Sequence, residues 1–177
     1  MYFSNQLQYS MGVDRFEPAV RESSSAQIHH DYCVMDALEI GERFQDKSFD
    51  CVLASDLIEH LSKEEGYKLV AMMVRIARKK VILFTPNGYL PQAGYGGNKF
   101  QRHQSGWDVE EMRELGFHVI GISGWKPLRG EMGTIRWRPR ALWIRISDLT
   151  QIVTTKRPEY AFQILCIKDV SNNAAKS

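Results

Sequence analysis

Residues 48–61 read Ser-Phe-Asp-Cys-Val-Leu-Ala-Ser-Asp-Leu-Ile-Glu-His-Leu. The polar turn Gln45-Asp46-Lys47-Ser48 leads into Phe49–Ala54, an apolar run of strand length. A run this short and this apolar predicts a central strand of a sheet. Ser62 then stands ahead of Glu64 and Glu65, a helix N-terminus signal, and Leu69, Met72, Met73, Ile76 and Ala77 recur at helical spacing. The pattern predicts a helix over 63–78 that ends among Arg and Lys, the sign favoured at the negative end of a helix dipole. Lys80–Thr85 is β-branched and apolar and is stopped by the turn signal Pro86-Asn87-Gly88, so a second strand follows. Strand, helix and strand in this order make a parallel unit.

Outward from this core the alternation continues. On the N-terminal side, Leu7–Val13 reads as a strand ending at Gly12-Val13-Asp14, Pro18–Glu22 as a short helix broken by Ser23-Ser24-Ser25, and His30–Met35 as a strand closing at Asp36-Ala37. On the C-terminal side, Tyr89–Ser105 is loop-like, with Gly94, Gly96 and Gly97. Asp108 caps a helix to Leu115 that ends at Gly116, and Phe117–Ile122 is a strand. Residues 127–140 are rich in Arg, Gly and Trp, Ala141–Val153 is an apolar helix, and Tyr160–Lys168 is a last strand, expected antiparallel at an edge. The fold class is α/β: a mostly parallel sheet in three layers, helices on both faces. One domain over 1–170 is expected, with a polar tail at 171–177.

Composition narrows the function. The chain has 177 residues, 44% hydrophobic and 25% charged, which suits a globular domain. A net charge of +2 is too mild to imply a nucleic-acid partner. Cys33, Cys51 and Cys166 are far apart in sequence and form no Cys-x-x-Cys pair, so buried free thiols in a reducing cytoplasm are expected. No apolar stretch has the length of a membrane span, and no targeting segment opens the chain. The adjacent His29 and His30 would point to opposite faces of a strand, so no metal site is expected.

Gly-Val-Asp at 12–14, Met-Asp-Ala at 35–37, the 48–61 stretch, Val-Ile-Leu-Phe-Thr-Pro-Asn-Gly at 81–88, and Trp107–Phe117 with its Glu-Leu-Gly-Phe ending form an ordered set. In order and spacing it resembles the successive motifs of class I, Rossmann-like S-adenosylmethionine-dependent methyltransferases of type 11. The resemblance implies S-adenosyl-L-methionine as cofactor. It places Asp14 at the ribose hydroxyls, Phe16 with its neighbour Arg15 at the adenine face, Asp36 at the adenine amino group, the Ala37 amide at a ring nitrogen and Ser55 near the methionine portion. From the residues alone, loop capping by Asp14 and Asp36 and core packing by Phe16 remain open. His60 is a candidate base or a packing residue beneath the site. His103, near Trp107 on the loop expected to cover the pocket, is a candidate contact to a small-molecule or glycan-like acceptor.

The resemblance also implies a first strand followed by Gly-x-Gly-x-Gly, whose bare backbone lets the cofactor approach closely. Only eleven residues precede Gly12, where about 25 are needed. The first strand and glycine loop are therefore expected to be missing from the centre of the sheet, between the strand ending at Asp14 and the strand ending at Ala54, leaving unpaired backbone edges. Truncation of a longer gene ranks first as the cause, ahead of completion by another chain, a dimer or a rearranged strand, and of a degenerate non-enzyme. Arg129, Arg136, Arg138, Arg140 and Arg145, interleaved with Trp125, Trp137 and Trp143, are expected to solvate a helix face while the tryptophans pack inward. The rival function is a catalytically inactive, methyltransferase-like binding or scaffold protein that uses the basic region 126–157 for a partner.

Overall fold

The structure is a computed structural model that describes residues 6–93, 98–130 and 133–171. Gly94, Gly96, Gly97 and all of the expected tail but Ser171 lie outside these residues. The chain divides into two compact units, Met1–Gln45 and Asp46–Ser177.

The first unit is a strand-helix-strand unit. β1 (Met11–Asp14) and β2 (Asp31–Val34) pair in parallel, with Asp14 opposite Val34, and α1 (Glu17–Ser25) connects them. Pro18 sits at the helix start, where its missing N–H costs nothing. The helix runs through Ser23–Ser25 rather than stopping at them, and the Ser25 hydroxyl donates to the Arg21 carbonyl. α2 (Ile40–Arg43) closes the unit. Val34 and Leu7 are exposed and α1 buries no residue, so the two strands enclose almost no core. A two-stranded sheet of this kind has little stability of its own.

The second unit is a four-stranded sheet in the order β3-β4-β6-β5, built from β3 (Phe49–Ser55), β4 (Ala77–Pro86), β5 (His118–Trp125) and β6 (Ala161–Asp169). β3 and β4 are parallel, and β6 alone runs against the other three. The expected α/β class and mostly parallel sheet are present. Two expectations are corrected. β6 is antiparallel but lies inside the sheet, between β4 and β5. β3 is an edge strand, with β4 on one side and no strand on the other among the described residues. Ala77 and Arg78 belong to β4 rather than to the end of the preceding helix, which stops at Ile76, and Lys79 pairs with Asp50 of β3 at 2.8 Å.

The sheet's two faces differ. Ala54, Val81, Leu83, Thr85, Val119, Gly121, Ile164 and Cys166 share one face by register and are all buried. On the other face Ile82, Phe84, Ile120, Ile122, Leu165 and Ile167 are half-buried, while Leu53 is 62% exposed. The three cysteines divide likewise: Cys166 is buried, Cys33 is half-buried, and Cys51, on the open β3, is exposed, which corrects the expectation of three buried thiols.

α3 (Lys63–Ile76) packs Leu69, Val70, Met73 and Ile76 inward. It begins with the capping box predicted from Ser62: the Glu65 amide donates to the Ser62 hydroxyl, and the Ser62 amide donates to the Glu65 carboxylate at 2.9 Å. α4 (Val109–Glu114) repeats the device with Asp108 and Glu111, and Gly116 at φ 81° ends the turn. α5 (Arg140–Lys156) lies against β5, where a Cβ on Gly121 would stand 2.1 Å from the Thr154 carbonyl oxygen. Its inward side is polar, with Ser147 and Thr154 buried, whereas Leu149 and Ile152 are about 70% exposed (68% and 70%). Trp125 and Trp137 are exposed, so the expectation that the tryptophans pack inward fails for both. Arg129 is no free cation of a basic patch. Its guanidinium donates to the Ser123 and Gly133 carbonyls and to the Ser147 hydroxyl.

Candidate functional site

The carboxyl ends of β1 and β2 lie side by side and bring the first unit's expected cofactor residues together. The Asp14 carboxylate accepts from the Phe16 amide at 2.7 Å. Asp36 caps the short turn Ala37–Glu39, accepting from the Leu38 amide at 3.0 Å, and its second oxygen lies 3.3 Å from the Arg15 guanidinium. Both aspartates therefore cap loops. Asp14 and Arg15 are exposed, and Phe16, Asp36 and Ala37 are half-buried. Arg15 works here as the ion-pair partner of Asp36. Ser55, in the second unit, is exposed at the end of β3, and its hydroxyl donates to the Asp56 carboxylate at 3.3 Å.

Within the second unit the chain just after β3 and residues Leu90, Gln92, Gln101 and His103 border a cavity of about 480 Å³ lined also by Asp56, Glu59, His60, Arg129 and Gln163. Asp56 takes a positive φ of 46° and donates its amide to the Phe84 carbonyl, which turns the chain off the strand. A single turn, Ile58–His60, then buries Ile58 and Glu59. The loop is held down from the other side. The Gln104 and Ser105 amides donate to the Glu59 carbonyl at 2.8 and 3.1 Å, and the Trp107 indole N–H donates to the Ser105 hydroxyl at 2.9 Å. Trp107 is wholly buried and lies on Gly66 of α3, where a Cβ would stand 2.3 Å from the ring.

Glu59 is 2% exposed and accepts from the Thr85 hydroxyl at 2.9 Å. Burial pushes its carboxyl up to about 7, with the Thr85 hydrogen bond opposing. Burial likewise raises Asp56 and lowers both His60 and His103, which favours neutral imidazoles near neutral pH. His103 Nδ1 is 2.6 Å from the Leu90 carbonyl and His60 Nδ1 is 3.3 Å from the Arg102 carbonyl. A carbonyl only accepts, so each Nδ1 carries the proton and each Nε2 keeps a lone pair. The two rings meet edge to face at 4.9 Å.

His60 and His103, forty-three positions apart, thus line one cavity. Glu59 was not singled out. Its signal was its place beside His60 at the end of a strand, and the hydroxyl that meets it comes from Thr85 on the next strand. Asn87, read only as part of a turn, is buried and donates to the Pro158, Glu159 and Ala161 carbonyls, tying the end of β4 to the start of β6.

The strand order, with β6 alone reversed, and the acidic residues after the strand ends define a Rossmann-like methyltransferase fold. Residues 1–85 match the family model described as a methyltransferase domain. Over these residues, just under half of the chain, it is similar to class I methyltransferases of type 11, whose cofactor is S-adenosyl-L-methionine. Among solved structures it is similar to the BH2331 protein of Bacillus halodurans C-125, at 14% identity over 95% of this chain and 85% of that one, with a TM-score of 0.53. It is also similar to a Haloferax volcanii protein solved with the Trm112 methyltransferase activator, at 15% identity over 93% and 72%, TM-score 0.53. A third is a phosphoethanolamine N-methyltransferase of Haemonchus contortus, at 16% identity over 95% and 45%, TM-score 0.53. At these identities the likeness speaks for the fold. No curated protein matches the chain in sequence. No described helix is long and apolar enough to cross a membrane.

The residues present fit the nucleoside end of the family's cofactor. Two acidic side chains stand at neighbouring parallel strand ends, where a ribose and a base edge meet hydrogen-bond acceptors. A Gly-x-Gly-x-Gly backbone cradle is not among the described residues.

Proposed function

We propose that this chain is the greater part of a methyltransferase that transfers a methyl group from S-adenosyl-L-methionine to a small-molecule or glycan-like acceptor held in the cavity of the second unit. The observation that carries the reading is the pair His60 and His103, which line one cavity and each of which holds Nδ1 against a backbone carbonyl. Bound, the cofactor supplies a methyl group on a positively charged sulfur. Asp14 accepts hydrogen bonds from the ribose hydroxyls through the oxygen that does not serve the Phe16 amide, Phe16 packs against the adenine, and Asp36 with the Ala37 amide reads the base edge. Release of Asp36 from Arg15 accompanies this binding. His60 and His103 accept a hydrogen bond from the acceptor and orient it, and the acceptor is excluded from bulk water by the loop 89–107. The chain works as part of a single cytoplasmic methyltransferase domain.

A second reading has its own observation. Among the described residues β3 has a strand partner on one side alone, which supports a methyltransferase-like shell completed by another chain or used as a scaffold. Calorimetric titration of S-adenosylhomocysteine decides between them, run on this chain and on a version extended upstream in frame. Binding by the extended form alone supports truncation, and binding by neither supports the scaffold. Asp14→Ala in the binding form is expected to weaken affinity by about 1–3 kcal/mol, and an unchanged affinity refutes the nucleoside assignment.

A further inference from the structure

We infer that Glu59, His60 and His103 form a binding site for a divalent first-row metal ion, with Asp56 at hand as a fourth ligand. The inference rests on the reading of the cavity as an acceptor site only for what the ion does there. The adjacent pair His29-His30 drew the sequence reading away from metal, whereas the fold assembles its ligands from the turn after β3 and from the loop 89–107. One ligand atom from each of Glu59, His60 and His103 lies within 4.8 Å of the other two. Bonds of roughly 2.0–2.2 Å from ion to ligand place ligand atoms about 3–3.5 Å apart, so an entering cation draws the three inward by about an ångström.

Three features favour metal over a chance cluster. Both histidines donate Nδ1–H to backbone carbonyls, the support that fixes a ligating imidazole's tautomer and aims Nε2. Glu59 is held by the Thr85 hydroxyl at one oxygen, and no lysine or arginine forms an ion pair with it among the described residues. Arg129 lines the same cavity but spends its guanidinium on Ser123, Gly133 and Ser147. A buried carboxylate with a second acid, Asp56, on the same wall calls for a counter-charge, and a dication supplies it.

Two imidazoles and one carboxylate leave open positions on Mn²⁺, Fe²⁺ or Co²⁺, and the cavity gives them room. With the imidazole lone pairs taken up by the ion, a hydroxyl oxygen of the acceptor takes such a position in place of a hydrogen bond to the histidines, which orients it and favours its alkoxide form. The site therefore selects an oxygen acceptor.

Mn²⁺ titrated into the purified chain and followed by the loss of the free-ion electron paramagnetic resonance signal tests this directly. One saturable site per chain is expected. His60→Gln and His103→Ala are expected to weaken it at least about tenfold, while His29→Ala leaves it unchanged. Co²⁺ should give visible absorption bands of nitrogen-oxygen coordination that His60→Gln alters. His60 is only half-buried, so its variant decides the matter if His103→Ala unfolds the chain. Absence of saturable Mn²⁺ binding, or binding indifferent to His60→Gln, overturns the site. S-adenosylhomocysteine titrated in parallel separates the two ideas: its binding without Mn²⁺ refutes the metal alone, and Mn²⁺ binding without it leaves the metal standing while the cofactor reading fails.

Discussion

The second unit's sheet has two edges, and the chain treats them in opposite ways. Along β5 the outer edge is covered. Gln151 of α5 accepts from the Gly124 amide at 3.0 Å and donates to the Gly121 carbonyl at 2.8 Å, and Thr150 accepts from the Trp125 amide at 2.9 Å. Along β3 no strand pairs on the outer side among the described residues, and Leu53 is exposed. Folded proteins cover, charge or shorten a sheet edge, because its free N–H and C=O groups invite another strand. β3 is none of these: it is seven residues long and carries Cys51, Val52, Leu53 and Ala54 in succession. The contrast marks β3 as an interior strand by composition and an edge strand by environment.

The covered edge is the one that breaks hardest. Gly121→Ala places a methyl group 2.1 Å from the Thr154 carbonyl oxygen, so α5 must lift away. A loss of about 3 kcal/mol is expected in urea unfolding, and an unchanged midpoint shows that α5 does not seal β5. Gln151→Ala removes three hydrogen bonds, two of them to the strand edge, and leaves edge groups unpaired, with an expected loss of about 1–2 kcal/mol and faster hydrogen exchange at the Gly124 amide.

The cysteines sharpen the comparison without changing the stability. Cys51 should react with a thiol reagent in the native chain at pH 8. Cys166, whose thiol burial pushes up to about 12, should react only as fast as the sheet opens. Raising the pH speeds Cys51 by increasing its thiolate fraction, while Cys166 stays protonated through the same range. If an upstream extension completes the sheet, Cys51 becomes slow as well. The smallest effect belongs to Leu53→Lys, expected to shift stability by no more than about 0.5 kcal/mol while lowering concentration-dependent light scattering. A large destabilisation there means that Leu53 is covered in solution.

The elements that could be read from the sequence are those whose signals are local. Ser62 and Glu65, Asp108 and Glu111, and the run ending at Pro86 each carry their structure within a few residues. The place of β6 was not legible, because strand order is set by which surfaces meet rather than by the run itself. The orientation of α5 was hidden for a related reason. Gly121 and Gly124 let a helix backbone approach so closely that Ser147, Thr150 and Gln151 bond to the strand, and Leu142, Ile144, Leu149 and Ile152 are left outside. The sequence offers His60 as a candidate base or packing residue and His103 as a candidate acceptor contact, but their meeting with Glu59 depends on Asp56 turning the chain and on Trp107 holding the loop.

That hold rests on two positions forty-one residues apart. The indole of Trp107 occupies the space that a side chain at position 66 would fill, and Ile58 borders the same space. In related chains these positions should vary together: a larger residue at 66 is tolerated where 107 is small, and a tryptophan at 107 should be accompanied by glycine. An alignment deep enough to show paired changes would reveal the loop's attachment to α3 as a correlation in sequence.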